Sequence, residues 1–146
     1  MTHGSHEVGR AGARSLNQML ALGFGAVYTL VAVLGFFVAE TFAGTGQEEN
    51  GQIFGLFQVN HLHNLVHLLI GVALIAAAKR HDTARGANLA IGVTYVALAV
   101  IGPFLTGTDL NIVALNAPDH WLHLASGLAL AGVALAADRG GARTTV

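Results

Sequence analysis

Four stretches of the chain are almost unbroken in apolar side chains, and the polar residues crowd between them. They run from Leu16 to Ala39, Asn60 to Ala78, Ala87 to Leu105 and Ala117 to Ala137. Each is close to the roughly 20 residues that a helix needs to cross the hydrocarbon core of a bilayer. Backbone groups in lipid must hydrogen-bond within the protein, so a spanning segment is a helix unless strands close into a barrel. These Leu- and Ala-rich runs are too long for barrel strands. The pattern predicts an all-α, four-helix transmembrane bundle over residues 16–138. A disordered cytoplasmic tail is expected at 1–15 and a second tail at 139–146. The first apolar run is too long for a signal peptide and leads on to a second, so it reads as a retained helix.

Composition agrees. Apolar residues make up 53% and charged residues only 10% of the 146 positions, where a soluble domain carries about 25% charge. The few charges are sorted. Arg10 and Arg14 precede the first helix, Lys79, Arg80 and Arg85 join the second to the third, and Arg139 and Arg143 follow the fourth. The other two connections hold Glu40, Glu48, Glu49 and Asp109 and no Lys or Arg. The positive-inside rule then places both termini in the cytoplasm and the loops after helices one and three outside. A multi-pass protein of a bacterial inner membrane is expected, with the lipid bilayer as its first partner and a homo-oligomer or larger membrane complex as a further one. No concentrated basic face exists, which argues against nucleic-acid binding. With no cysteine, disulfides, thiolate metal sites and thiol nucleophiles are excluded.

The helices form two related pairs. Gly25 and Tyr28 of helix one match Gly92 and Tyr95 of helix three, and Gly35 matches Gly102. Helix two reads Asn60-x-x-His63-Asn64-x-x-His67-Leu68-x-x-Gly71, and helix four reads Asn116-x-x-Asp119-His120-x-x-His123-Leu124-x-x-Gly127. Tyr28 to Tyr95 is 67 residues and His67 to His123 is 56, the difference being the longer first outer loop. Two tandem helical hairpins of the same topology are expected, related by a pseudo-two-fold axis along the membrane normal.

The run from Val59 to Gly71, followed by Asn116-x-x-Asp119-x-Trp121-Leu122-His123-Leu124, resembles the signature of a bacterial family of small four-helix membrane proteins labelled as a domain of unknown function. The resemblance covers nearly the whole chain and implies the fold and the membrane location. It implies no activity, so any site is read from the residues.

Positions 60, 63, 64 and 67 follow i, i+3, i+4, i+7 spacing and share one helix face, as do 116, 119, 120 and 123. Polar groups at such depth are costly in a membrane and face a bundle interior or a cavity. Asn60 and Asn116 read first as N-caps, supported by Pro118 and Asp119 in the first turn of helix four. His63, His67, Asp119, His120 and His123 are the candidate metal ligands, because imidazole and carboxylate suit Zn, Cu, Ni or Fe and helical spacing lets them converge. A haem held axially by His67 and His123, with Gly71 and Gly127 making room, is a weaker alternative; close helix packing is the plainer reading of those glycines. The third possibility is a hydrogen-bonded network that only fixes the bundle. Asn64, Tyr28 and Tyr95 are supporting residues, the tyrosines in a mainly packing role. His61 falls on another face and reads as solvated. Trp121 and Phe57 suit an interfacial aromatic belt. His3, His6 and His81 belong to the opposite side, His81 in a loop. Ser126 shares a face with His123 but more often such a serine bonds its own backbone. No catalytic motif is present, so an enzyme is unsupported. The two functions left standing are metal or haem binding, and a structural or accessory subunit of a membrane complex without a ligand.

Overall fold

The structure, a computed structural model, describes residues 13–44 and 50–137. Of the tails expected at 1–15 and 139–146, residues 1–12, with His3 and His6, and all of 139–146 lie outside the described residues, as do residue 138 and Glu48 and Glu49 of the first outer loop. Four helices dominate: α1 (Leu16–Val38), α2 (His61–Ala77), α3 (His81–Leu105) and α4 (Ala117–Ala136). Two short strands, β1 (Gly51–Ile53) and β2 (Phe57–Val59), form an antiparallel ribbon between α1 and α2.

Helix α1 begins at a capping box, in which the Ser15 side chain takes the Gln18 N–H and the Gln18 side chain takes the Ser15 N–H. This pairs two of the amides that a helix start leaves open. α3 starts six residues earlier than the apolar pattern suggests. His81, expected in a loop, is its first residue. The polar run His81-Asp82-Thr83 is compatible with an exposed first turn, where Asp82 also suits the positive helix end. The ribbon was not expected either. Its turn needs two consecutive residues in the left-handed region, Phe54 at φ 55° and Gly55 at φ 68°.

α1 packs antiparallel on α2, and α3 on α4. Glycines set the contact in both pairs. A Cβ on Gly25 would stand 2.8 Å from the Gly71 carbonyl oxygen, and a Cβ on Gly92 would stand 2.9 Å from the Gly127 carbonyl oxygen. Only a missing side chain lets these backbones approach so closely. Further along, Asn64 lies against Gly35 and His120 against Gly102. At the opposite end, the Gln18 amide donates to the Ala78 carbonyl at 3.0 Å and Arg85 Nε donates to the Ala134 carbonyl at 2.8 Å. Asn88 of α3 donates to the Asn17 carbonyl of α1 at 3.0 Å and ties the two hairpins together. The core between them holds Ala21, Tyr28, Leu74, Ala78, Ala84 and Tyr95.

Outside this narrow core the helices are apolar on their surface. Leu30 and Phe37 of α1, Leu69 and Val72 of α2, Val100 and Phe104 of α3, and Trp121 and Leu128 of α4 are all exposed. α1 and α3 are each long and apolar enough to cross a membrane, while α2 is shorter, at 17 residues.

Candidate metal centre

Two asparagines set the rotation of the helices that carry the histidines. Asn60 sits in extended backbone ahead of α2, and its side-chain oxygen accepts the His63 N–H at 2.8 Å. Asn116 does the same ahead of α4, accepting the Asp119 N–H at 3.3 Å, with a proline in the first turn. Each cap is worth about 1 kcal/mol to its helix. Their amide nitrogens then cross over. Asn60 Nδ2 donates to the Ile112 carbonyl in the second hairpin, and Asn116 Nδ2 to the Leu56 carbonyl in the first, both at 2.8 Å. Each helix start is thereby anchored to the other hairpin's loop, which fixes the two polar stripes relative to one another.

The stripes bring His63, His67 and His123 together. One ring nitrogen from each lies within 4.8 Å of the others, and all three residues are buried. Ring centroids of His63 and His67 are 4.4 Å apart, and His123 stands 6.2 Å from His67. His63 Nδ1 lies 2.8 Å from the Val113 carbonyl, which can only accept, so this nitrogen carries the proton and Nε2 keeps its lone pair. A ligating histidine is held in this way, its other nitrogen tied to a carbonyl. Nδ1 of His67 and of His123 is buried without a hydrogen-bond partner. An unpaired buried polar group costs about 1–3 kcal/mol. Nitrogen ligands on a tetrahedral ion lie roughly 3.4 Å apart, so side-chain shifts of about 1 Å would close the group on a metal.

The remaining candidates are held elsewhere. Asp119 is buried, and one carboxylate oxygen accepts the Asn116 N–H at 3.0 Å, completing a capping box on α4. His120 turns toward α3, where its Nε2 meets the Thr106 hydroxyl at 3.1 Å. The Asn64 amide is buried without a hydrogen-bond partner. Gly71 and Gly127 face the other helix of their own hairpin and not the histidines. His61 stacks on Phe36, at a centroid distance of 5.8 Å. The Ser126 hydroxyl donates to the Leu122 carbonyl at 2.7 Å, the backbone bond expected of it.

The tyrosines lie directly beneath the cluster. Tyr28 stacks on His67 with centroids 5.4 Å apart, and Tyr95 is 4.7 Å from His123. Neither buried phenol makes a well-formed hydrogen bond, although the Tyr28 hydroxyl lies near those of Tyr95 and Ser126. Beside the three histidines is a cavity of about 160 Å³, walled by Tyr95, Val66, Leu98, Val113 and Leu115. The wall residues and the Val113 carbonyl went unnoticed in the sequence, where nothing distinguishes them from other apolar loop and helix positions.

A four-helix chain with three buried, converging histidines is the class that fold and site define. Residues 18–136, from the first turn of α1 to the end of α4, match the family described as Domain of unknown function (DUF4383), and the chain belongs to that family. No curated protein and no solved structure matches it.

Proposed function

We propose that this protein is a four-helix integral membrane protein that binds one transition-metal ion through His63, His67 and His123. The observation that carries the metal is the convergence of three buried imidazoles, two of them with an unpaired Nδ1. Zinc or copper suits an all-imidazole set. A haem fits less well: the cavity of about 160 Å³ is smaller than the roughly 300 Å³ of even a modest organic-ligand pocket, and the glycines that would admit a ring are occupied in helix packing.

The membrane reading rests on the exposed apolar surface of all four helices together with the sorting of Lys and Arg. Water would not tolerate so continuous an apolar exterior on a monomer. In this reading residues 16–138 form the membrane domain, both termini are cytoplasmic, and the metal lies toward the outer face. The two hairpins are read as copies of one unit. Support comes from the recurrence of matched pairs: Gly25–Gly71 with Gly92–Gly127, Gly35–Asn64 with Gly102–His120, and Gln18–Ala78 with Arg85–Ala134.

The test is elemental analysis of the protein purified in detergent after exposure to Zn or Cu and removal of free ion. One equivalent per chain is expected, and the His67→Ala/His123→Ala double variant should hold none. A folded wild type that retains no metal, or a double variant that retains as much, overturns the proposal.

A further inference from the structure

Resting on that metal reading, we infer that the ion keeps one coordination position open toward the cavity, where it takes a small exogenous ligand. Three histidines leave a four-coordinate ion one ligand short, and this is how sites that bind an exogenous molecule differ from closed structural ones. Asp119 and His120 do not supply the fourth ligand, because one caps α4 and the other is bonded to Thr106. The space at that position is bounded instead by the cavity of about 160 Å³. A water molecule claims about 30 Å³ of liquid, so there is room for about five heavy atoms.

The lining states what those atoms are. Among the described residues no carboxylate and no cationic side chain borders the cavity, and Leu98, Val113 and Leu115 make its far wall apolar. Tyr95 also lines it, with its hydroxyl sealed from the space and beside that of Tyr28. Val66, also in the wall, is 40% exposed, so the cavity reaches the apolar exterior between helices. A small molecule can enter there without crossing a charged rim.

The experiment uses the copper(II)-loaded full chain, with azide as the probe. Azide should produce a ligand-to-metal charge-transfer band that saturates at one equivalent per copper. Leu98→Trp, which fills the cavity, should keep the copper and abolish the band; Leu115→Phe serves should that variant fail to fold. Stoichiometric copper with no azide band, or azide affinity unchanged by the filling variant, overturns this inference alone. A chain that binds no copper overturns the metal reading and this one with it.

Discussion

On α2 the stripe residues His63 and His67 both turn inward and meet His123. On α4 the position that matches His63 is Asp119, and it turns back to close the capping box at its own helix start. The next pair also diverges. Asn64 is buried against Gly35 without a partner, whereas His120 reaches Thr106. The positions at which the two hairpins agree build the scaffold: the Asn60 and Asn116 caps, the Gly25–Gly71 and Gly92–Gly127 contacts, and the tyrosines. The matched His67 and His123 supply two of the clustered histidines, and the unmatched His63 supplies the third. A symmetric arrangement would offer two imidazoles or four. The departure from symmetry gives three.

The comparison breaks most visibly at the shared histidines. Replacing either His67 or His123 by Ala should lower metal affinity by more than about a hundredfold, beyond what loss of an outer-shell partner costs, as read by competition with a chelator. His63→Asp, which makes α2 resemble α4, should do likewise while the chain still folds. Next come the glycines. Gly25→Leu and Gly92→Leu each force a side chain into the partner backbone and should destabilise the bundle by about 1–3 kcal/mol, seen as matched falls in Tm in detergent. Very different losses would argue against equivalent hairpins. Asn116→Ala should cost about 1 kcal/mol through the lost cap, measured in the same way. The smallest effect belongs to the residues that left the cluster. Asp119→Asn and His120→Gln should leave metal stoichiometry at one per chain, and a loss of metal in either would return that residue to the coordination sphere.

The four helices were legible because long apolar runs leave few alternatives, though of the described helices only α1 and α3 are long and apolar enough to cross a membrane, and Asn60 and Asn116 were legible as caps because the residue type and position coincide. The start of α3 was not, since His81, Asp82 and Thr83 interrupt the apolar pattern that marks a helix. The ribbon was missed because its strands have three residues each, too few for an alternating pattern to register. Helical spacing correctly assigned His63, His67 and His123 to inward stripes. It could not separate them from Asp119 and His120, because spacing defines a face and not which group a neighbouring helix or loop engages. The Thr106 hydroxyl and the Asn116 amide made that selection.

The central claim is that three imidazoles from two hairpins share one ion. Pulsed electron paramagnetic resonance of the copper(II)-loaded protein counts coordinated imidazoles directly. The account predicts three in the wild type and two in whatever copper His63→Ala retains. Copper with no imidazole coordination, or an unchanged spectrum in the His63→Ala variant, would contradict it.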